Sequence, residues 1–301
     1  MDILRRAEKA IWQWPKEKKS VAQPRLVMTL LVKNEEDKLE QNLLFHKAMG
    51  VDLFIVTDNN STDKTMDILR RYEQKGWIAE IIEERATGYE QKQWVDRMII
   101  LARDRYKADW VINADADELW YVPSGNLKQE MARCRCRVLR CQVCGMYPEE
   151  GLPFWQWTHR VVPVTGAEAA SLSPHSAFGA QHKKVAHRTA GYIAISMGNH
   201  KVTMLPPTVE DSNIRVYHYN IGTREAFIQK MVQGGRELEQ HRGRHGGRHW
   251  RYFYQLYKEG RLAEAYDGVT ERERYDQLVA TGHIVNDTAV ADIFRIHHLM
   301  D

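Results

Sequence analysis

The sequence predicts an α/β fold: a doubly wound, mostly parallel central sheet with a small antiparallel part, followed by a C-terminal helical extension. Three observations predict it. Short apolar runs alternate with helical patterns from residue 26 to residue 113, with short connections between them. Three of those runs end in clusters of acids and amides, namely Lys33-Asn34-Glu35-Glu36, Asp58-Asn59-Asn60-Ser61-Thr62-Asp63 and Asp115-Ala116-Asp117-Glu118. After Trp120 the alternation stops. Short apolar pieces broken by Gly, Pro and His follow, and helical periodicity returns at Arg224.

Residues 1–23 read as a short amphipathic helix and a basic linker. Ile3, Leu4, Ala7, Ile11 and Trp12 share a face, with Arg5, Arg6, Lys9, Lys16, Lys18 and Lys19 around them. Such a segment either packs on the domain or attaches to an anionic membrane surface. Leu26 to Val32 is apolar except for Thr29 and reads as a buried strand. Lys38 to Met49 reads as a helix stopped by Gly50, and Val51 to Thr57 as the second strand. Ser61 or Thr62 is placed to cap a helix from Lys64 to Lys75, which Gly76 ends. Ile78 to Ile82 is a third strand, Tyr89 to Lys107 a long helix and Trp110 to Asn113 a short strand.

Beyond the acidic cluster, Leu127 to Ala132 reads as a short helix and Val138 to Met146 as a strand. Residues 147–215 read as antiparallel strands and long loops, with strands at Val202 to Leu205 and Ile214 to Tyr217. Arg224 to Gln233 is helical. Residues 234–249 hold four arginines, three histidines and five glycines. They read as a flexible basic loop, as a mobile lid over phosphates or an acidic acceptor, or as a surface for stacking RNA bases. His241, His245 and His249 recur every four residues, but glycine weakens any helix that would align them. The organisation is therefore 1–23 as an N-terminal segment, 24–232 as the main domain and 233–301 as a basic, aromatic-rich loop and helical extension.

Composition bounds the function. With 43 basic and 40 acidic side chains the formal charge is +3, which argues against nucleic-acid binding as the main role. No apolar run approaches the roughly 20 residues of a membrane helix. The charged N-terminus lacks the apolar stretch of a secretory signal. The expected location is the cytoplasm, with the basic N-terminus as a peripheral contact to the inner face of a membrane. Cys134, Cys136, Cys141 and Cys144 fall in one short stretch. Cys134 and Cys136 alternate with arginines as one face of a strand does, and a cytosolic setting disfavours a disulfide. Cys141 and Cys144 have the spacing of a zinc pair.

Three strands ending in acids and amides describe a site at the C-terminal edge of a parallel sheet. Two carboxylates one residue apart suit a hard divalent cation, and such a cation suits phosphate. The expectation is a metal-dependent enzyme acting on a nucleotide-activated substrate. A bland reading stands beside each motif: Asp58 to Ser61 as a turn and cap, Asn34-Glu35 as a cap, Asp115 and Asp117 as a solvated turn.

Val27-Met-Thr-Leu-Leu-Val-Lys-Asn-Glu35, Thr57-Asp-Asn-Asn-Ser-Thr-Asp63 and Trp110-Val-Ile-Asn-Ala-Asp-Ala-Asp-Glu118 resemble glycosyltransferase family 2, in the branch with an N-E first motif and a D-A-D-E metal motif. The resemblance covers roughly residues 24–232. It implies a GT-A (Rossmann-like) fold, a nucleotide-sugar donor with UDP favoured, Mn2+ or Mg2+ as cofactor, and inversion at the anomeric carbon. It places Lys33, Asn34 and Glu35 beside the nucleoside. Asp58, with Asn60 next to it, would accept hydrogen bonds from the base. Asp115 and Ala116 would lie near the ribose and cation, and Asp117 would be the principal metal ligand. His218, after a late apolar run, is the implied histidine near metal and diphosphate, with His200 as the next candidate. The Glu-Asp doublet that usually supplies the base is absent, so Glu150, Glu149 and His200 stand as alternatives for it. Lys183, Lys184 and Arg188, or Lys230, Arg236, Arg242 and Arg244, could add charge at the diphosphate.

The expected reaction moves a hexose to a glycan or lipid-linked glycan acceptor, with Trp155, Trp157 and the Trp250–Tyr257 aromatics offering flat surfaces for sugar rings. Two other classes remain open. One is a nucleotidyltransferase acting on sugar phosphates, although residues 24–40 lack the glycine of a phosphate loop. The other is an inactive nucleotide- or glycan-binding protein of the same fold.

Overall fold

The computed structural model describes residues 22–85, 90–164, 181–240 and 248–300, together with Arg5, Arg6 and Glu8. The rest of the N-terminal segment and, within the 234–249 segment, residues 241–247 with His241 and His245, lie outside the described residues. The chain divides into two compact units. One comprises Met1–Val143, His182–Tyr217 and Ile293–Asp301; the other comprises Cys144–Gln181 and His218–Asp292.

The first unit is built on strand and helix in alternation: β1 (Leu26–Val32), α1 (Leu39–Ala48), β2 (Leu53–Asp58), α2 (Thr65–Gln74), β3 (Ile78–Glu83), α3 (Gln91–Asp104) and β4 (Trp110–Ala114). β1 pairs in parallel with β2 and β4, and β2 pairs in parallel with β3. After β4 come β5 (Glu118–Tyr121), α4 (Leu127–Arg133) and β6 (Val138–Gly145). The unit then takes in β8 (Lys184–Arg188), β9 (Tyr192–Ile195), β10 (Val202–Met204) and β11 (Val209–His218), β7 belonging to the other unit. The sheet runs β3-β2-β1-β4-β8-β6-β11-β5, and β8 is antiparallel to both β4 and β6. This is a GT-A-like arrangement: a parallel half that carries strand ends to one edge, extended by an antiparallel part.

Burial explains why these segments become strands. Six of the seven β1 residues and all five of β4 are buried, as a sheet covered on both faces requires. Val95, Met98, Ile99 and Ala102, spaced along α3, pack with Val27, Ile55 and Val111. Phe45 of α1 meets Phe294 of α9 (Ala289–Ile296) at 5.7 Å between ring centres. Gly50 and Gly76 take positive φ after α1 and α2, as a helix stop needs. The expected cap of α2 is corrected. Ser61 accepts from the Asn34 N–H instead, while Glu36 and Asp63 accept from the first amides of the helix, Lys64 and Thr65.

The second unit holds β7 (His159–Val161), α5 (Arg224–Gln240), α6 (Arg248–Lys258), α7 (Leu262–Thr270), α8 (Arg272–Ala280) and β12 (Ile284–Asn286). β12 pairs antiparallel with β7, over a cluster of Tyr147, Val161, Val164, Leu278 and Ile284. The helix predicted to stop at Gln233 continues to Gln240. Gly234 and Gly235 are where α6 comes close: a Cβ on Gly234 would stand 2.7 Å from Trp250 Cδ2, and one on Gly235 would meet Tyr254. The aromatic face of α6 thus uses glycines that the sequence reads as loop.

The reading of Cys134 and Cys136 is also corrected. Cys134 and Cys136 are not strand residues: they lie between α4 and β6 and are joined by a disulfide. Cys141 and Cys144 are buried in β6. Among the described residues no helix is long and apolar enough to cross a membrane.

Candidate active site

Register brings three strand ends level. Val32 stands opposite Asp58, Leu30 opposite Ala114, and Asp58 opposite Glu83. The residues that follow, 33–35, 59–63 and 115–117, therefore leave the sheet at one edge, where ligands of open α/β sheets bind.

The first two loops are laced together. The Asn34 backbone N–H donates to Ser61 Oγ at 2.9 Å, and the Thr62 N–H donates to Asn34 Oδ1 at 2.8 Å. The Glu35 N–H donates to Thr65 Oγ1 at 2.8 Å, and the Asn59 N–H to Val32 O at 2.9 Å. Asn34 and Asn60 adopt φ of 55°, a left-handed conformation that Asn tolerates better than most residues. Asn34 thus fixes the loops with its side chain. Asn60 is exposed, and Lys33 and Glu35 are half-buried at the rim. Asp58 is buried at 4% exposure. Its Oδ2 accepts from the Ser61 N–H at 3.1 Å, while its Oδ1 has no hydrogen-bond partner among the described residues. A buried acceptor left open at a strand end is costly unless something donates to it.

The acidic cluster is the crossing from β4 to β5. Three residues link the strands, yet β5 lies at the end of the sheet beside β11. Two residues of α1 hold this crossing, and the sequence reading missed both. Asn42 Nδ2 donates to Ala116 O and Glu118 O, each at 3.0 Å. His46, one turn later, bonds Asn42 through Nδ1, at 2.8 Å to its O and 2.9 Å to its Oδ1, and its Nε2 accepts from the Trp120 N–H at 2.9 Å. Those contacts fix the neutral tautomer with the proton on Nδ1. Burial drives the His46 pKa down to about 3, against a smaller opposing effect of the bond to Asn42. The only sequence signal was two polar residues at helical spacing in an otherwise apolar stretch.

Lys184, which sequence reasoning left among several basic candidates, is the cation set into the cluster. Its Nζ lies 3.1 Å from Asp115 Oδ2 and 2.7 Å from Glu118 Oε1. The Lys184 side chain is 5% exposed and that of Glu118 fully buried. Burial opposes the ammonium charge, but Asp115 and Glu118 outweigh it and hold the pKa above its ordinary value. Asp117 is buried at 3% exposure. Asp115, Asp117 and Glu118 thus bring to this crossing hard oxygen donors of the kind that a divalent cation takes. On the neighbouring strand His187 is also held neutral. Burial takes its pKa down to about 4, against the bond from Nδ1 to Arg188 O. Its Nε2 accepts from Asn113 Nδ2 at 3.1 Å, and Thr29 Oγ1 donates to Asn113 Oδ1 at 2.7 Å.

His200 sits in the same unit, half-buried, with its ring 5.5 Å from that of His182 and Nδ1 3.3 Å from Lys183 O. Burial, then the Lys184 charge, lowers its pKa. It is therefore neutral near pH 7, as a base needs to be.

The remaining candidates belong to the second unit. His218 Nδ1 is 2.8 Å from Gln181 Oε1. Glu149 is engaged in structure: Oε1 accepts from the Thr158 and His159 N–H groups and lies 3.2 Å from His159 Nδ1. Glu150 is exposed and acts on the Tyr266 hydroxyl, whose pKa burial and neighbouring acids raise to about 12. Trp157 is buried, its Nε1 donating to Leu152 O at 3.0 Å, whereas Trp155 is half-exposed. In the first unit, one atom each from Cys134, Cys136 and Glu210 falls within 4.8 Å of the others, the two sulfurs being joined in the disulfide.

The model for glycosyltransferase family 92 matches residues 27–134, the stretch that holds all three strand ends and the acidic crossing. This corrects the family 2 resemblance. Polar strand ends and a paired carboxylate follow from a nucleotide-binding sheet edge, so they do not separate one family built on such an edge from another. No curated protein sequence matches the chain. Among solved structures, S. aureus TarS 1–349 in complex with UDP is 15% identical with a TM-score of 0.38, over 85% of this chain and 75% of that one. A longer S. aureus TarS structure is 16% identical with a TM-score of 0.39, and the chain spans about half its length, 45%. Glucosyl-3-phosphoglycerate synthase from Mycobacterium tuberculosis, in complex with Mg2+ and UDP, is 15% identical with a TM-score of 0.37, over 82% of this chain and 85% of that one. Likeness at this level supports no residue-by-residue correspondence.

Proposed function

We propose that this chain is a metal-dependent glycosyltransferase that moves a hexose from a nucleoside diphosphate sugar, with UDP favoured, to a glycan or lipid-linked glycan acceptor. The observation that carries the reading is the acidic crossing at the strand edge, held by Asn42, His46 and Lys184, within the stretch that the family 92 model matches. Asp58 Oδ1 is the group to receive an N–H from the base, because its other oxygen is already engaged. Lys33, Asn34, Glu35 and Asn60 form the rim on the nucleoside side, with Asn34 acting through the loop it fixes.

Asp117, with Asp115, would hold Mn2+ or Mg2+. When bound, the cation supplies positive charge to the diphosphate as it leaves. Lys184 holds Asp115 in place. Ala116 contributes its carbonyl to Asn42 and so sets the turn.

A single displacement, inverting at the anomeric carbon, needs one base at the acceptor hydroxyl. Glu150 is favoured over Glu149, whose carboxylate is taken up by two backbone amides and His159. His200 is the alternative, since its lowered pKa leaves it neutral. Where it is described, the N-terminal segment is held on the first unit, with Arg6 buried, 3.1 Å from Asp96 Oδ2 and donating to Ile193 O at 3.2 Å, which favours packing on the domain over contact with an anionic membrane surface.

The test is incubation with UDP-, GDP-, CMP- and dTDP-sugars and Mn2+, following release of the nucleotide and the anomeric configuration of the product by NMR. Release from one donor class that Asp117→Asn abolishes supports the reading. Release from none of them, with or without oligosaccharide acceptors, counts against it and in favour of an inert binder.

A further inference from the structure

Cys134 follows the last residue of α4, and Cys136 stands two residues before β6. Both are buried, at 5% and 1% exposure. Glu210, exposed at the start of β11, brings Oε2 to 3.8 Å from Cys134 Sγ. The frame around them is built by other residues. The Arg137 and Val138 N–H groups both donate to Thr208 O at 3.1 Å, which sets residues 208–210 alongside the cysteines. Arg188 Nε donates to Cys136 O at 2.9 Å and Nη2 to Cys134 O at 3.0 Å, with its guanidinium 4.9 Å from the centre of the Trp110 ring. Two sulfurs on this loop and one carboxylate on β11 are thus held near one another by hydrogen bonds that do not involve the sulfurs.

We propose that Cys134, Cys136 and Glu210 form a thiol-switched site for one borderline-soft divalent cation of the Zn2+ type. In the disulfide the sulfurs are bonded to each other and offer no thiolate. Two molecules of a thiol reductant supply two electrons and two protons to the S–S bond, leaving two cysteine thiols and the oxidised disulfide of the reductant. Binding of the cation then releases both thiol protons and forms two metal–sulfur bonds and one metal–oxygen bond to Glu210. Water completes four-coordination. A sulfur-rich set prefers Zn2+ over Mg2+ or Mn2+, so its chemistry is distinct from that of the carboxylates at the strand edge. The inference does not depend on the glycosyltransferase reading.

Co2+ is the probe, because thiolate ligation gives it a charge-transfer band in the near ultraviolet. The full chain is reduced, desalted without oxygen and titrated with Co2+, alongside the air-oxidised chain; intact mass reports the redox state. The expected result is one Co2+ bound with the band in the reduced chain, displaced by Zn2+, and no band in the oxidised chain. Cys134→Ser removes the band. Glu210→Gln, at an exposed side chain that should not disturb folding, weakens Co2+ binding about tenfold or more. No band in the reduced chain overturns the proposal. So does a band that persists in Cys134→Ser, which would point to Cys141 and Cys144, or unchanged affinity in Glu210→Gln.

Discussion

Acid should weaken this fold through two buried histidines. His46 and His187 are both held neutral by burial, with pKa values of about 3 and about 4 against an ordinary 6.5. When the chain unfolds, each ring meets water and regains its ordinary value. Between pH 6.5 and those lower values the unfolded chain therefore binds more protons than the folded one, and stability falls as pH falls. Integrated from pH 7 to pH 5, each histidine removes about 2 kcal/mol, so the pair removes about 4 kcal/mol, a large share of an ordinary domain's stability. Urea unfolding at pH 7 and pH 5 measures the total. His187→Gln and His46→Gln should each reduce that pH difference by about 2 kcal/mol, whatever they do to stability at pH 7. Ring-proton NMR should show both histidines silent between pH 7 and pH 5 while exposed ones titrate. If either ring titrates near 6.5, or if the glutamine variants keep the full pH difference, the assignment of buried neutral histidines is wrong.

Two further substitutions probe the framework. Lys184→Met leaves Glu118 buried beside Asp115 without its cation and should cost about 3–5 kcal/mol. The double variant Lys184→Met/Glu118→Gln should recover most of that by removing the stranded charge, as chemical denaturation of the three proteins would reveal. Gly234→Ala should destabilise by about 1–3 kcal/mol despite the better helix propensity of alanine, because its Cβ would enter the Trp250 ring. A rise in melting temperature for that variant would mean that α6 does not pack there.

β1, β2 and β4 were readable because they are almost wholly buried and so appear as nearly continuous apolar runs, whereas β3, with Ile78 alone buried, is legible only by its place in the alternation. β1 and β4 stand within a residue of where the pattern put them. The polar clusters were readable as strand ends for the same reason. What holds them was not. Asn42 and His46 look like ordinary polar positions on a helix, and only the path of the chain from Ala116 to Trp120 turns them into its hydrogen-bond donors and acceptors. Lys184 is one of many lysines until β8 pairs with β4 and delivers it to Asp115 and Glu118. Gly234 and Gly235 read as loop because glycine is a poor helix former, and tertiary packing against Trp250 and Tyr254 overrides that preference. Cys134 and Cys136 alternate as strand residues do, yet the strand begins two residues later, so the alternation carried no information about pairing. The family resemblance misled for a related reason: acids at strand ends such as Asp58 and Asp117 recur in more than one lineage, and the family 92 model, not family 2, matches the stretch that holds them.

The central claim is that Asp117 holds a cation through which a nucleoside diphosphate binds. Calorimetric titration of UDP, GDP, CMP and dTDP into the wild-type chain and Asp117→Ala, each with and without Mn2+, tests it most directly. The account predicts that one nucleotide, UDP foremost, binds the wild type only when Mn2+ is present and fails to bind the variant. Equal binding with and without metal, or equal binding to both proteins, would contradict it.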